Sequence, residues 1–301
     1  MNESTDRTGY VAIVGRPNVG KSTLLNHILG TKLSITSRKP QTTRQRILGI
    51  HTLDNTQMIF VDTPGMHELH KGADNEMNRY MNQQAIGILQ EVDLCLHVID
   101  AAGWLEADQR VVQHLEAAEV ERVFCVLNKV DQIHPKSRII PVLEEASKQY
   151  NYQEIIPISA LKNRGLDIVV EQLAKWLPAQ PKMFPDDEIT DRSLRFLVGE
   201  MLREKVVRQL GDELPYRTAV VVENYTDEEH ITHIEAVIYV EKTSQKGIVI
   251  GKGGERLKSI GTAARKSIEL LLERQVFLNL LVKTRPGWTD ERVQLAALGY
   301  Q

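Results

Sequence analysis

The stretch GRPNVGKST, Gly15 to Thr23, decides the fold of the first half of the chain. It fits the pattern G-x-x-x-x-G-K-[S/T] at Gly15, Gly20, Lys21 and Ser22. Backbone N–H groups of such a loop wrap a β-phosphate at the start of the following helix. The lysine reaches the β- and γ-phosphates, and the hydroxyl binds Mg²⁺. The sequence therefore predicts a nucleotide-binding loop between a strand and a helix.

Short apolar runs alternate with amphipathic stretches on both sides of this loop. Runs rich in Val, Ile and Leu are typical of strands buried on both faces, as in a parallel sheet covered by helices. The stretch STLLNHIL, 22–29, has its apolar residues on one helical face. We expect a doubly wound α/β domain with a mostly parallel sheet. The predicted strands are YVAIV (10–14), MIFVD (58–62), LCLHVID (94–100), VFCVLNK (123–129) and IIPIS (155–159).

Proline residues mark the end of this domain. Pro178, Pro181 and Pro185 interrupt regular structure in PAQPKMFPDDEITD, 178–191. Beyond it we expect helix, two strands, helix, glycine loop, helix, strand and a last helix, which indicates a separate α+β domain. The predicted boundaries are 1–178 for the nucleotide-binding domain, 179–190 for a linker and 191–301 for the second domain.

The composition is that of an ordinary globular protein, with 301 residues, 42% hydrophobic and 26% charged. The net charge of −3 gives no sign of nucleic-acid binding, but residues 241–292 hold eleven Lys or Arg against six Asp or Glu. Cys95 and Cys125 lie in apolar runs, as core residues in a reducing compartment do. The chain shows neither a secretory segment nor a membrane-spanning apolar run, so we expect a cytoplasmic protein.

Two motifs after later strands point to guanine as the base. NKVD supplies Asn128, Lys129 and Asp131. The Asp131 carboxylate can accept hydrogen bonds from the guanine N1–H and 2-amino groups, and adenine offers neither donor. The Lys129 stem can lie along the base, Asn128 can tie the loops together, and an N–H of a following SAL motif can meet guanine O6. That motif consists of Ser159, Ala160, which carries this N–H, and Leu161.

The motifs DTPG, 62–65, and QTTR, 41–44, predict two loops that respond to the γ-phosphate. Asp62 can hold Mg²⁺ through water, and the Gly65 N–H can sense the γ-phosphate. One threonine of QTTR should complete the Mg²⁺ shell, and we favour Thr43 over Thr42. The predicted metal ligands are Ser22, Thr43 and Asp62.

In this order and spacing, the five motifs resemble those of the translation-factor-related GTPases, over roughly the first 165 residues. The resemblance implies hydrolysis of GTP to GDP with Mg²⁺. Met66 stands where signalling GTPases have a water-orienting Gln, so we expect slow hydrolysis, and His67 is not favoured as a base. The resemblance further implies a potassium ion at Asn18. The predicted nucleotide contacts are Gly15, Asn18, Val19, Gly20, Lys21, Ser22, Thr23, Asp62, Gly65, Asn128, Lys129, Asp131, Ser159, Ala160 and Leu161, and the predicted catalytic residues are Lys21, Thr43, Gly65 and Asn18.

A second glycine loop, GIVIGKGGERLKSIG at 247–261, does not fit a nucleotide loop. Three residues instead of four separate Gly247 and Gly251, and Gly253 occupies the place of the Mg²⁺-binding hydroxyl. The loop does fit Gly-x-x-Gly, and its place among the predicted elements resembles a type II KH domain. That resemblance implies a groove for about four nucleotides of single-stranded RNA. We expect RNA contacts from Gly251, Lys252, Gly253, Gly254, Arg256 and Lys258. Ile248, Ile250 and Ile260 are expected to form an apolar floor, with the alternative that at least one of them belongs to the core.

A GTPase domain followed by such a KH domain resembles, over the whole chain, a family of bacterial ribosome-assembly GTPases. The resemblance implies binding near the 3′ end of 16S rRNA in small-subunit maturation, and peripheral association with the inner face of the cell membrane. We expect a monomer that does not bind DNA. Two alternatives are a P-loop kinase that uses ATP, and a signalling or tRNA-modification GTPase whose second domain binds protein.

Overall fold

A computed structural model describes residues 6–35, 43–62, 76–211 and 214–300. The described chain divides into two compact units, and the boundary between them falls after Asp191. Residues 76–79 group with the second unit, and the other described residues up to Asp191 form the first. None of the helices in these described ranges is long and apolar enough to cross a membrane.

The first unit is built on a six-stranded sheet. From one edge to the other its strands are β2 (Ile47–Leu53), β3 (Thr56–Asp62), β1 (Arg7–Val14), β4 (Leu94–Asp100), β5 (Val123–Asn128) and β6 (Glu154–Pro157). Neighbouring strands are parallel except for the antiparallel pair β2 and β3, which confirms the mostly parallel sheet. The strand β2, at one edge of the sheet, was not predicted from the sequence.

Helices cover both faces of this sheet. Because successive side chains of a strand point to opposite faces, Val11 and Ile13 of β1 pack with Leu24 of the first helix on one face. Ala12 packs with Val111 of the third helix on the other face. The strands therefore have to be apolar on both sides, which is why they read as continuous apolar runs. The helices are α1 (Lys21–Leu29), α2 (Glu76–Leu89), α3 (Glu106–Ala117), α4 (Ile139–Gln149) and α5 (Leu166–Trp176).

The two cysteines are core residues of this unit. Cys95 lies on β4 and Cys125 on β5, and both are fully buried. Burial raises the pKa of both thiols above the usual range, so they stay protonated at neutral pH. They behave as small apolar side chains, as their sequence context indicates.

The proline-rich stretch 178–191 lies along the first unit. Gln57 of β3 is fully buried, and its Oε1 accepts the N–H groups of Met183 and Phe184, each at 2.9 Å. Its Nε2 donates to the Phe184 carbonyl at 2.9 Å. Near the start of the stretch, Gln180 Nε2 donates to the Thr8 carbonyl at 2.6 Å. These bonds attach residues 180–184 of the predicted linker, 179–190, to the nucleotide-binding unit.

The second unit has the element order expected of the KH-like domain. Its three-stranded sheet runs β7-β8-β9, with β7 and β8 antiparallel and β8 and β9 parallel. The flanking helices α6 and α8 bury Val198 and Ile268 in one cluster with Ala236 of β8. The elements are α6 (Leu194–Gln209), β7 (Thr218–Asp227), β8 (Ile231–Val240), α7 (Thr243–Ile250), α8 (Glu255–Leu272), β9 (Gln275–Thr284) and α9 (Arg292–Ala297).

Candidate nucleotide-binding and RNA-binding sites

The phosphate loop lies between β1 and α1, and two of its glycines are required by geometry. Gly15 has φ +147°, and a Cβ there would lie 2.3 Å from the carbonyl oxygen of Val98. Gly20 has φ +106°, and its Cβ would lie 2.3 Å from Asn128 Nδ2. Gly20 is also the residue that precedes α1, and it has no side chain with which to cap that helix. Neither position accepts a side chain, and Gly20 itself does not compete with a phosphate for the first N–H groups of α1.

Lys21 lies beneath this loop with its amine folded back onto the backbone. Its Nζ donates to the carbonyl oxygens of Gly15, at 2.8 Å, and Arg16, at 3.0 Å. Burial lowers the pKa of Lys21 to about 8, and the Asp62 carboxylate acts in the opposite direction. A phosphate anion beside the amine would favour its charged form.

Three oxygen-bearing side chains converge next to Lys21. Asp62 Oδ2 accepts the hydroxyls of Ser22, at 3.2 Å, and Thr43, at 3.1 Å, and these hydroxyls are 3.3 Å apart. Burial raises the pKa of Asp62, and the Ser34 hydroxyl and the Lys21 charge oppose this most strongly. A cluster of hard oxygen donors around a buried carboxylate fits Mg²⁺. Thr43 thus lies at the predicted position, and Thr42 lies outside the described residues.

Asn128, at the end of β5, connects the loops. Its Nδ2 donates to the Val19 carbonyl at 2.8 Å, and its Oδ1 accepts the N–H of Ala160 at 2.9 Å. The Ala160 N–H is the group predicted from the sequence to meet guanine O6. In this structure the N–H already bonds to Asn128, so a guanine oxygen would have to share or replace this bond.

The other residues predicted to contact the base lie beside Asn128. Ser159 Oγ donates to Asp131 Oδ1 at 2.6 Å, which leaves Oδ2 of this partly buried carboxylate outside that bond. Lys129 Nζ bonds to the Asn18 carbonyl at 2.6 Å, so the lysine stem bridges the base loop and the phosphate loop. Leu161 is 65% exposed, and its side chain can only cover the site from outside.

A charged network that was not predicted from the sequence connects Arg16, Asp100, Asp108 and Lys129. Lys129 Nζ lies 2.7 Å from Asp100 Oδ2, and Arg16 Nε lies 3.1 Å from Asp108 Oδ2. Arg16 also approaches Asp100, at 3.9 Å. Asp100 ends β4 at the same sheet edge as Asp62 and Asn128. Its position at a strand end could have identified it, because ligand loops of α/β sheets gather at that edge.

The remaining predicted nucleotide contacts differ in their exposure. Asn18 is exposed and has φ +64°. Thr23 is partly buried in the first turn of α1. Gly65, Met66 and His67 lie outside the described residues.

The second glycine loop connects α7 and α8. Gly251 has φ +75°, and a Cβ there would lie 2.8 Å from Arg256 Cβ. Gly253 and Gly254 also have positive φ, +61° and +82°, but a Cβ at either would meet nothing within 4 Å. These two glycines face open space, so a nucleic-acid backbone can approach the main chain closely.

Basic and apolar side chains flank this loop. Lys252 and Lys258 are exposed, and Arg256 Nη1 donates to the Ile248 carbonyl at 2.7 Å. Ile248 is 49% exposed and Ile250 is partly buried. Ile260 is fully buried in the core of the second unit. Ile260 therefore does not line an RNA groove. It is a core residue, which is the alternative that the sequence left open for at least one of the three isoleucines.

Comparisons with known proteins agree with a nucleotide-binding site in the first unit and a KH-type glycine loop in the second. A family described as a 50S ribosome-binding GTPase matches residues 10–129, and the KH domain family matches residues 213–289. The chain is a P-loop GTPase that carries a KH domain. It is 50% identical to GTPase Era of Pseudomonas entomophila over 301 residues, which cover 100% of this chain and 99% of that protein. The chain belongs to the Era GTPase family.

Further relatives support this assignment. GTPase Era of Pseudomonas aeruginosa is 50% identical over 294 residues, covering 98% of this chain and 95% of that protein. A crystal structure of Era with MgGDPNP and nucleotides 1506–1542 of 16S rRNA has a TM-score of 0.93, at 41% identity over 98% of this chain and 99% of that chain. A structure of an Aquifex aeolicus Era variant bound to GDP and AlF4⁻ matches with the same TM-score, 0.93, and 41% identity. The GTPase prediction is confirmed, and the kinase alternative is wrong.

Proposed function

We propose that this protein is a GTP-driven switch that binds the 3′ region of 16S rRNA during assembly of the small ribosomal subunit. The observation that carries the proposal is the end-to-end match to an Era structure that holds MgGDPNP and nucleotides 1506–1542 of 16S rRNA together. The glycine geometry supports it in two ways. Gly15 and Gly20 allow the close packing of the first loop against Val98 and Asn128, and Gly253 and Gly254 of the second loop face open space that a nucleic-acid backbone can approach.

We assign guanine recognition to Asp131, Asn128 and the Ala160 N–H, with Lys129 along the base. Asp131 Oδ2 lies outside the bond from Ser159, and this supports the assignment. The carboxylate can accept hydrogen bonds from the two guanine donors that adenine lacks. Phosphate binding belongs to the backbone of 15–20 and to Lys21. The other contacts are Asn18, Val19, Ser22, Thr23, Asp62, Gly65, Ser159 and Leu161.

We assign Mg²⁺ binding to the hydroxyls of Ser22 and Thr43 and, through water, to Asp62. Their mutual distances of 3.1–3.3 Å support the assignment. The bound ion supplies charge neutralisation between the β- and γ-phosphates. Lys21 contributes a second positive charge from beneath the loop.

We propose slow intrinsic hydrolysis, with Lys21, Thr43, Gly65 and Asn18 as the catalytic residues. The apolar Met66 supports the low rate, because it cannot orient the attacking water. Asn18 is the proposed potassium ligand. Its exposed place in the phosphate loop supports that role.

We assign RNA binding to the loop Gly251, Lys252, Gly253 and Gly254, with Arg256 and Lys258 on the first turns of α8. The open space beside Gly253 and Gly254 supports a close approach of the RNA backbone. The exposed amines of Lys252 and Lys258 supply the charge that phosphates require.

We further propose that the nucleotide state is relayed to the KH domain through β2 and the stretch 178–191. Two hydrogen bonds support this route. The Ile50 N–H donates to the Ile189 carbonyl at 2.7 Å, and the Leu48 N–H donates to Asp191 Oδ1 at 3.4 Å. The edge strand β2 is thereby attached to the last residues of the stretch.

The position of β2 in the chain supports the same route. It begins at Ile47, four residues after Thr43, and Ile47 pairs with Asp62. Arg192, the residue after Asp191, is the first residue of the second unit. A shift of Thr43 on GTP hydrolysis would therefore act on the covalent connection to the KH domain.

The test is fluorescence anisotropy with the full chain and single-stranded RNA from the 3′ end of 16S rRNA. We expect tight binding with a GTP analogue, weaker binding with GDP, and loss of binding in the double variant Lys252→Asp, Gly253→Asp. Aspartate tolerates the positive φ at 253, so the fold should persist. Lys148→Asp, on the exposed surface of α4, is the matched control. Unchanged binding in the double variant would remove the second loop from the RNA site.

We also propose that the protein acts as a cytoplasmic monomer, with the small ribosomal subunit and 16S rRNA as partners and no DNA. Peripheral association with the inner face of the cell membrane follows from the family resemblance. Size-exclusion chromatography with light scattering tests the first proposal, and vesicle sedimentation with anionic lipid tests the second.

A further inference from the structure

A fully buried carboxylate, that of Asp108, connects helix α3 to the phosphate loop. Its Oδ2 accepts two hydrogen bonds, from Arg16 Nε at 3.1 Å and from the Leu105 N–H at 2.9 Å. Leu105 is the residue before α3, so the second bond closes the first turn of that helix. One oxygen atom therefore fixes the start of α3 and reaches a residue of the phosphate loop 92 positions earlier in the chain.

The side chains of Asp108 and Arg16 form an ion pair that is mostly withdrawn from water. Asp108 is 0% exposed and Arg16 is 16% exposed, and charges attract more strongly in such surroundings than at the surface. A buried carboxylate that loses its cation is strongly destabilised. The position of the Arg16 guanidinium is therefore tied to that of Asp108.

Arg16 belongs to the part of the loop that contacts Lys21. The Arg16 carbonyl oxygen accepts Lys21 Nζ at 3.0 Å. Because the next residue is Pro17, the peptide unit between them has this acceptor and no N–H donor. A carbonyl oxygen turned toward a phosphate would repel it, whereas one turned toward Lys21 pairs with the amine. The orientation of this peptide unit therefore affects how well the loop accepts an anion.

A second attachment holds the same loop from the side of the base. Lys129 Nζ donates to the Asn18 carbonyl at 2.6 Å. Asp100 Oδ2 lies between the two attachments, 2.7 Å from Lys129 Nζ and 3.9 Å from Arg16 Nη2. The loop is thus held at Arg16 from α3 and at Asn18 from the end of β5.

We propose that Asp108 is a positioning residue for the phosphate loop and acts through Arg16, a role that rests on the proposed nucleotide-binding function. Asp108 holds the Arg16 side chain in one place, so the free protein keeps the loop in the conformation that binds nucleotide. Without this anchor the loop occupies other conformations as well. The apparent dissociation constant rises as the fraction of molecules with a competent loop falls.

Calorimetric titration of the full chain with GDP tests this role in a double-mutant cycle. Asp108→Asn removes the charge but keeps an oxygen for the Leu105 N–H, and Arg16→Gln removes the cation. We expect each single variant to raise the dissociation constant about tenfold. The double variant should also be about tenfold weaker, and not about a hundredfold, because both changes remove the same interaction.

Two further variants serve as controls. Glu106→Gln removes a carboxylate from the same first turn of α3, where Glu106 is exposed and pairs with Arg110 of the same helix at 3.0 Å. It should keep the dissociation constant of the parent. Arg16→Lys retains the positive charge that Asp108 requires, so it should bind GDP more tightly than Arg16→Gln. Urea unfolding shows which variants are folded, and only those are compared.

The salt dependence of GDP binding distinguishes an anchor from a phosphate ligand. Arg16→Gln should keep the parent's dependence of the dissociation constant on salt, because the guanidinium pairs with Asp108 and not with the phosphates. A flatter dependence would mean that Arg16 contacts a phosphate directly, and it would overturn the proposal. This comparison does not require Asp108→Asn to fold.

Failure of the nucleotide site and failure of this role give different results. A parent protein that does not bind GDP contradicts the proposed nucleotide site itself. A parent that binds GDP, with a folded Asp108→Asn or Arg16→Gln variant of identical dissociation constant, overturns the role of the ion pair alone. A double variant weakened about a hundredfold also overturns it, because the two residues would then act independently.

Discussion

Asn128 Nδ2 lies 2.8 Å from the carbonyl oxygen of Val19, although the two residues are 109 positions apart. The same amide accepts the N–H groups of Lys129, at 2.8 Å, and Ala160, at 2.9 Å. Asn128 is 2% exposed, so these bonds are protected from water. The base loops and the phosphate loop therefore meet at one buried side chain, and the spacing between base and phosphate sites depends on it.

Replacement of Asn128 by alanine should weaken binding of GDP and of GTP alike. It leaves the Val19 carbonyl and the Ala160 N–H buried without this partner, and each unpaired group costs about 1–3 kcal/mol. We expect the dissociation constant to rise about 10–100-fold, since about 1.4 kcal/mol corresponds to a factor of ten. Isothermal titration calorimetry measures it, with Asn151→Ala, at an exposed asparagine, as control. An unchanged constant would mean that the loops hold their geometry without this amide.

Alanine at one of the two glycines that flank α1 should abolish nucleotide binding, and alanine at the other should leave it unchanged. Gly20→Ala brings a Cβ to 2.3 Å from Asn128 Nδ2, so we expect loss of GDP binding. Gly30→Ala is the matched control, because Gly30 also has positive φ, +67°, but a Cβ there meets nothing within 4 Å. It should cost about 1–2 kcal/mol of stability and leave GDP affinity unchanged. Calorimetric titration and urea unfolding of both variants check this, and equal GDP affinities would contradict it.

Buried parallel strands were predictable from composition, but the edge strand β2 was not. LCLHVID was predicted as a strand over 94–100, and β4 has those bounds. In β2, Gly49 interrupts the apolar run, and its role is visible only in three dimensions. A Cβ at Gly49 would lie 2.7 Å from Leu29 Cδ1, so the glycine makes room for α1. Local propensity disfavours glycine in a strand, and tertiary packing overrides that preference.

The residues of the candidate site likewise fall into those that could be predicted from the sequence and those that could not. Residues in short motifs, such as Lys21 and Asp62, could be placed because their chemistry needs a fixed local spacing. The bond between Arg16 and Asp108 could not, because no spacing rule joins residues 92 positions apart. The role of Ile260 could not be predicted for another reason. From the sequence alone, an apolar residue after the glycine loop fits either a groove floor or a core. The face of α8 on which Ile260 lies decides between these two roles, and that face packs against the core.

His97 should make the protein less stable in mild acid. It is fully buried on β4, with Nδ1 2.7 Å from the Tyr152 hydroxyl. Burial lowers the pKa of His97 to about 3 from the ordinary 6.5, and the Lys21 charge acts in the same direction. At a pH between these two pKa values, His97 binds a proton in the unfolded chain but not in the folded chain. The contribution of His97 to stability is therefore fully present above pH 6.5 and is lost as the pH falls toward 3.

Urea unfolding at several pH values measures this effect. From about pH 7.5 to about pH 5, His97 should account for about 2 kcal/mol of lost stability in the parent. His97→Gln should have a lower stability at neutral pH and a flatter pH dependence. His230→Gln, at an exposed histidine, is the control and should follow the parent. A His97→Gln curve parallel to that of the parent would show that His97 does not titrate in this way.

Lys258 should contribute charge, and not sequence preference, to RNA binding. It is exposed on α8, one turn beyond the second glycine loop. Each phosphate contact to a single strand adds about −0.7 to the slope of log affinity against log salt. Lys258→Ala should therefore flatten the slope by about that amount and weaken binding to all sequences equally. Anisotropy at four salt concentrations measures it, with Lys148→Ala as control, and an unchanged slope would exclude a phosphate contact.

Asp191 should be needed for communication between nucleotide and RNA, but not for either ligand alone. Its Oδ1 accepts the Leu48 N–H at 3.4 Å, next to the start of the second unit. Asp191→Ala removes this attachment to β2, so the ratio of RNA affinities with GTP analogue and with GDP should fall toward one. GDP affinity should stay that of the parent, because Asp191 lies outside the nucleotide site.

Asp186→Ala is the matched control for this prediction. Asp186 lies in the same stretch and carries the same charge, but it is exposed and pairs with Lys182, at 2.8 Å, instead of with β2. It should keep the parent ratio. Equal loss of the ratio in both variants would mean that charge in the stretch matters and the bond to β2 does not. A parent ratio in Asp191→Ala would show that the signal takes another route, since the Leu48 attachment would then be absent without consequence.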